Sequence, residues 1–259
     1  MPESLQGTAP VIAVCGKGGV GKTVFSALLA RVFAEAGMQP LLLVDADPVG
    51  GLTSAIGEHT VETLSGVRDR VIGAAKAGGA AAVAHAAERL DYFVLKALME
   101  RDRYSLLAMG HNANKGCFCP ANKLLRSAIE SLLGSFAAVI IDAEAGIEQI
   151  NRDVTEHVDL IIVVVDTSQR SIDTLHMIAG MKDPSRVLVV ANRVPVIDEG
   201  RLPLGVALLG CIPEDGALRA FDQAGRSLWQ LPLHGPAMLA VTDISTRLCA
   251  AFSGGSVKC

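Results

Sequence analysis

The chain has 259 residues, 50% of them apolar and 19% charged, with a net charge of −4. Its mean hydropathy of +0.39 is high, yet no apolar run approaches the ~18 residues expected of a membrane span, so the apolar surface must be buried internally. With a pI of about 5.9 and no Lys or Arg cluster, nucleic acid and membrane are not expected as partners; Met1-Pro2-Glu3-Ser4 has no secretory pattern, which points to a cytoplasmic protein.

The first apolar run, Val11 to Val14, reads as a strand. Val24 to Ala30 has helical apolar spacing, and between the two lies Gly16-Lys17-Gly18-Gly19-Val20-Gly21-Lys22-Thr23. Strand, glycine-rich turn and helix is the context of a phosphate-binding loop, and the spacing fits G-x-x-x-x-G-K-[ST] without a gap. Glycines let backbone N–H groups wrap an anion, and the helix start adds partial positive charge. Lys22 is expected to reach the β- and γ-phosphates of ATP, and the Thr23 hydroxyl to join a Mg²⁺ shell. Gly16, Gly18 and Gly21 also spell the dinucleotide fingerprint, with Asp45 at a plausible distance for a ribose contact. That alternative has no use for Lys22-Thr23, which a triphosphate and its metal both require.

Downstream, strand-like and helix-like segments alternate, predicting one α/β domain with a mostly parallel sheet and helices on both faces. Strands are expected at Leu41 to Val44, Ser105 to Met109, Ala137 to Asp142, Leu160 to Val165, Val187 to Asn192 and Leu208 to Ile212. Helices are expected at Asp91 to Glu100, Asn122 to Leu133 and Ser171 to Met181, with two more after the last strand. Residues 57–90, rich in Ala and Gly, carry no legible chemistry. A loop from Gly110 to Pro120 holds Cys117 and Cys119. The domain is expected to span residues 11–252, after an extension at 1–10 and before a tail at 253–259.

In open parallel sheets ligands bind beyond the carboxyl ends of strands. Asp45-Ala46-Asp47-Pro48 and Asp142-Ala143-Glu144 follow two such strands. Asp142 suits the carboxylate that holds a magnesium-bound water, Asp45 suits a supporting place in the same shell, and Asp47 suits orienting the attacking water. Each could instead cap a helix or make a turn. Asn192-Arg193, at a later strand end, offers an amide whose donor and acceptor match adenine N6 and N7, or a turn asparagine. Lys17 is a second lysine in the loop. It either points to solvent or lies over phosphates, including those of a partner subunit.

The loop together with Asp45-Ala46-Asp47-Pro48 resembles the deviant Walker A class of dimeric ATPases, which includes the nitrogenase iron protein and the partitioning and septum-placing ATPases. The resemblance implies that Lys17 contacts nucleotide across a dimer interface and that Asp47 serves hydrolysis. Three further stretches are similar to the carbon monoxide dehydrogenase maturation ATPases, which insert nickel. They are Asp142 to Glu148, Gly116-Cys117-Phe118-Cys119 and Gly210-Cys211-Ile212-Pro213-Glu214-Asp215. What this implies is nucleotide contact by residues 16–24 (Gly16, Lys17, Gly18, Gly19, Val20, Gly21, Lys22, Thr23 and Val24) and by Asn192, Arg193 and Pro213. Lys17, Lys22 and Asp47 take the catalytic roles. Val24 stands where many relatives carry a second hydroxyl, and Gln149 where histidine is usual.

A Cys-x-Cys can aim two sulfurs at one ion but leaves it half coordinated. A two-fold axis through the ion would supply the missing pair, predicting a homodimer with a shared four-sulfur site. Ni²⁺ favours a planar set and Zn²⁺ a tetrahedral one, and the residues do not choose between them. Ordinary loop thiols, a local disulfide and a subunit-bridging iron–sulfur cluster are the alternatives. His111 is a spare ligand at most, while Cys15 and Cys211 lie in apolar strands as small core residues. The expected function is an ATP-hydrolysing metallochaperone serving a nickel enzyme of the carbon monoxide dehydrogenase or acetyl-CoA synthase type. The rivals are a positioning ATPase on DNA or membrane, which the sparsely basic stretch Thr242 to Cys259 disfavours, and an iron–sulfur redox ATPase.

Overall fold

Uninterrupted Val, Ile and Leu runs become strands buried on both faces, because parallel strands are covered by helices above and below. The structure, a computed structural model, describes residues 9–60, 62–70, 72–73, 89–111, 119–143 and 158–253. Its first half contains β1 (Val11–Cys15), α1 (Lys22–Glu35), β2 (Leu41–Asp45), α2 (Gly51–Ala55), α3 (Leu90–Ala97), β3 (Met99–Glu100) and β4 (Ser105–Ala108). Then come α4 (Cys119–Leu133), β5 (Ala138–Asp142), β6 (Leu160–Val165), α5 (Gln169–Met181), β7 (Val187–Asn192), β8 (Ala207–Ile212), α6 (Gly216–Gln223) and α7 (Pro236–Ser253).

The strands form one 8-stranded sheet in the order β3-β4-β2-β5-β1-β6-β7-β8. Every pairing is parallel except β3 with β4. Alternation along β1 sorts its side chains between two cores: Ile12 and Val14 pack with α1 and α7, while Val11, Ala13 and Cys15 pack with α3, α4 and α5. Helices therefore cover both faces, as the alternating pattern predicts. Among the described residues no helix is long and apolar enough to cross a membrane.

Two expectations need correction. The helix expected at Asp91 to Glu100 stops at Ala97, and Met99 and Glu100 pair antiparallel with Leu106 and Ser105 as a short edge strand. The Arg101 N–H donates to the Tyr104 carbonyl at 2.8 Å and closes that hairpin, a long-range pairing that local apolar spacing does not reveal. The loop expected through Pro120 ends earlier, because α4 already begins at Cys119. Pro120 fits there: proline is tolerated in a helix's first turn, where its missing N–H costs nothing. Cys119 is thus on a helix and not in a loop; its side chain and all of Cys117 lie outside the described residues.

Parallel pairing puts the carboxyl ends of β1, β2, β5, β6, β7 and β8 on one edge. That edge collects the phosphate loop, Asp45, Asp142, Asn192 and Pro213.

Candidate nucleotide site

The loop after β1 is shaped by two glycines whose neighbours leave no room for a side chain. A Cβ on Gly16 would lie 2.3 Å from the Val164 carbonyl oxygen, and Gly16 has φ 138°. A Cβ on Gly21 would lie 2.3 Å from Asn192 Nδ2, with φ 93°. β6 and the end of β7 thus press on the loop from behind, and only glycine permits both the approach and the left-handed backbone. Lys22 is buried, and its Nζ donates to the Lys17 carbonyl at 3.3 Å, which keeps the ammonium inside the loop. Lys17 itself is half-buried, while Gly18 and Gly19 are exposed.

Behind the loop stands Asp142. Thr23 Oγ1 donates to its Oδ2 at 2.7 Å, and Ser26 Oγ donates to its Oδ1 at 3.1 Å. Burial pushes the Asp142 carboxyl up to about 6, helped by the charge of Asp45 and opposed by the Thr23 and Ser26 hydroxyls and by Lys22. A buried carboxylate beside a second one, with a hydroxyl at hand, is a set of oxygen ligands that suits a hard divalent cation such as Mg²⁺, while the Lys22 ammonium, which has no lone pair, is suited to phosphate. Ser26 is a site residue that the sequence reading missed. Its only signal was the three-residue step from Thr23, which puts both hydroxyls on one helix face.

Asp45 is fully buried and already occupied. Its Oδ2 accepts from Thr53 N at 2.7 Å and Thr53 Oγ1 at 2.6 Å, and its Oδ1 accepts from Asp47 N at 3.2 Å. Burial also raises its carboxyl above the usual range, against the pull of the Thr53 hydrogen bonds. Asp45 therefore anchors the loop that carries Asp47 and the start of α2. Asp47 is half-buried, with Oδ1 accepting from Val49 N at 2.8 Å. A Cβ on Gly51 would lie 3.1 Å from Asp47 Oδ2 and 3.6 Å from Thr23 Oγ1, so the carboxylate and the hydroxyl flank the same small space.

A cavity of about 340 Å³ opens beside the first turn of α1. Gly21 and Val24 line it on the loop side, Asn192 and Arg193 at the end of β7, and Pro213, Glu214 and Asp215 after β8. Leu218, Arg219 and Asp222 of α6 close it. It has the size and the mixed lining of a pocket for a purine base. The structure thus brings Asn192, Arg193 and Pro213 together with Gly21 and Val24 around one cavity, and adds residues of α6, a helix expected after the last strand but not assigned to the site. The Asn192 amide also braces the phosphate loop: its Nδ2 donates to the Val20 carbonyl at 2.7 Å and its Oδ1 accepts from Arg193 N at 3.0 Å, which leaves one N–H and one lone pair of the amide. Arg193 has φ 62°, a left-handed conformation uncommon for a side chain with a Cβ, and stands at the cavity rim. Asp215 caps α6 through Ala217 N at 2.9 Å and Leu218 N at 3.2 Å, and also accepts from Ala237 N at 3.1 Å at the start of α7.

An AAA domain family matches residues 9–184, which contain the loop, Asp45, Asp47 and Asp142. The chain belongs to that family. It is a P-loop ATPase of the deviant Walker A class. An uncharacterised ATP-binding protein of Methanocaldococcus jannaschii is 33% identical to it, over 92% of this chain and 98% of that one. The carbon monoxide dehydrogenase accessory protein CooC of Rhodospirillum rubrum is 32% identical, over 85% of this chain and 89% of that one. Among solved structures, the septum site-determining protein MinD of Pyrococcus horikoshii, complexed with Mg-ADP, has a TM-score of 0.66 at 20% identity, covering 93% and 96% of the two chains. A chain of the MinC:MinD cell division protein complex of Aquifex aeolicus has a TM-score of 0.67 at 23% identity, covering 97% and 98%. Those two likenesses concern the fold.

Proposed function

We propose that this ATPase is a metallochaperone that works as a homodimer and delivers nickel to an enzyme of the carbon monoxide dehydrogenase or acetyl-CoA synthase type. The observation that carries the reading is the 32% identity to CooC across 85% of this chain, a span that takes in the Cys117-x-Cys119 stretch. In this reading Cys117 and Cys119 from both protomers hold one Ni²⁺ or Zn²⁺ as cargo.

At the nucleotide site, residues 16–24 take the phosphates, with Lys22 on the β- and γ-oxygens and Thr23 and Asp142 toward Mg²⁺. A bound Mg²⁺ would offset phosphate charge and orient the β- and γ-oxygens. Asp47 accepts a hydrogen bond from the attacking water and aims it at the γ-phosphorus. Lys17 crosses to the partner's nucleotide, so hydrolysis depends on closure. The base enters the cavity between Arg193, Pro213 and α6, while Asn192 keeps the loop open to phosphate by holding Val20. Closure gathers the four thiolates and hydrolysis releases them. This requires ATP to favour the closed, metal-competent dimer differentially.

The test is metal content per protomer, measured anaerobically in the ADP and ATP states, alongside oligomeric state. The expected result is one Ni²⁺ or Zn²⁺ per dimer, lost on Cys117→Ala with Cys119→Ala while ATP hydrolysis persists. An unchanged stoichiometry in that variant overturns the metal assignment. ATP-dependent retention on liposomes or duplex DNA would instead favour the positioning reading, and iron with acid-labile sulfide in the purified protein would favour a cluster.

A further inference from the structure

Thr23 and Ser26 are three residues apart on α1, so their side chains share a face, and both donate to one carboxylate of β5. A helical serine commonly turns its hydroxyl back to the carbonyl four residues earlier. Ser26 instead spans to Asp142, from a position with no solvent exposure. The main chain at Asp142 is already held from both sides: its carbonyl accepts from Ala46 N at 3.0 Å, and Ala143 N donates to Val14 O at 3.0 Å. What the backbone leaves undetermined is the carboxylate plane, because the terminal torsion of aspartate is broad.

Thr23 occupies Oδ2, the oxygen on the phosphate-loop side, and one donor does not stop the plane from turning about that contact. The Ser26 hydrogen bond to Oδ1 supplies the second point. We propose that Ser26 is a positioning residue for the Mg²⁺ shell, fixing the Asp142 carboxylate so that its Thr23-side oxygen faces the metal-bound water. Removing the hydroxyl leaves Oδ1 buried without that donor and frees the plane to rotate away from the metal side. The inference rests on the ATPase chemistry of the family, not on the metallochaperone reading, and survives if the thiol site proves to lie elsewhere.

The experiment is binding of a fluorescent ADP analogue to the full-length chain, first in EDTA and then through a Mg²⁺ titration. For Ser26→Ala, affinity in EDTA is expected to stay within about twofold of the parent, since the loop contacts are untouched. The Mg²⁺ concentration at half-effect is expected to rise roughly threefold to tenfold, the net weight of one ordinary intramolecular hydrogen bond. In an Asp142→Asn background the same substitution is expected to add no further shift. A folded Ser26→Ala protein with an unchanged Mg²⁺ midpoint overturns the proposal, and so does an equal extra shift in the Asp142→Asn background. If Ser26→Ala does not fold, Ser26→Cys, near in volume and a weak donor, is read against the same two outcomes, and a failure of both to fold assigns Ser26 to the core instead.

Discussion

Asp45 and Asp142 stand opposite one another at matched register on β2 and β5, both buried at the carboxyl edge of the sheet. Only one of them keeps an oxygen turned toward the phosphate loop. Asp45 is taken up by Thr53 and by the Asp47 N–H, whereas Asp142 meets Thr23. The two carboxylates are held by different partners, and the burial of Asp142 has a consequence for stability.

Asp142 has its carboxyl raised from 3.8 to about 6 in the folded chain, chiefly by burial. The folded state therefore holds that proton more tightly than the unfolded one. The stability this contributes is fully present below pH ~3.8 and is lost as pH rises through ~6, a change of about 3 kcal/mol. In nucleotide- and metal-free protein, Asp142→Asn should remove this slope and melt higher than the parent at pH 7 to 8, while hydrolysing ATP far more slowly. Thermal unfolding of both proteins from pH 4.5 to 8 checks it. Parallel pH profiles would show that Asp142 is not the group.

Gly21 and Asn192 are mutually constrained, the space of a Cβ at Gly21 being filled by the Asn192 amide. Asn192→Ala should cost about 1 kcal/mol of ATP affinity, roughly fivefold, by freeing Val20. Gly21→Ala should cost more, because the left-handed backbone alone is worth about 1–2 kcal/mol. The double variant should be no worse than Gly21→Ala, since the clash disappears with the amide. Nucleotide affinities of the three proteins decide. Simple addition of the two losses would mean that the residues act separately.

The two loop lysines should separate by experiment. Lys22→Ala removes a buried ammonium of the loop itself and should weaken both ATP and ADP binding. Lys17→Ala should leave ADP binding by the monomer close to normal. If it acts across a dimer, hydrolysis should fall by ~10³ or more, as for cations supplied in trans. Mixing Lys17→Ala with Asp47→Ala protein should then recover part of the activity. Lack of any recovery would argue that each lysine serves its own nucleotide.

Asp215 joins the N-termini of α6 and α7 through one carboxylate. Asp215→Ala removes caps from both and should destabilise the chain by ~2 kcal/mol, lowering the melting temperature by about 4–8 °C. Because Asp215 also lines the cavity, ATP affinity should fall with stability. Asp215→Asn, which keeps one acceptor oxygen and turns an NH₂ toward the other N–H, should restore only one of the two caps and fall between Asp215→Ala and the parent. A melting temperature unmoved by Asp215→Ala would show that the double cap is idle.

Much of the site was legible because it is local. The spacing of Gly16, Gly21, Lys22 and Thr23, with an apolar run before and helical spacing after, specifies strand, loop and helix within 15 or so residues, since each step is governed by backbone sterics and period. Carboxylates at strand ends could likewise be placed at the ligand edge once the sheet was taken as parallel. What tertiary structure alone decided is which atoms are already spoken for. The amide of Asn192 holds Val20, Asp45 holds Thr53, and Ser26 is bonded to Asp142 from 116 residues away along the chain. Such pairings depend on the register of β2, β5 and β7 against the loop, and the edge pairing of Met99 and Glu100 on a hairpin partner. Neither leaves a periodic trace, because hydrogen bonds between distant segments carry no spacing along the sequence.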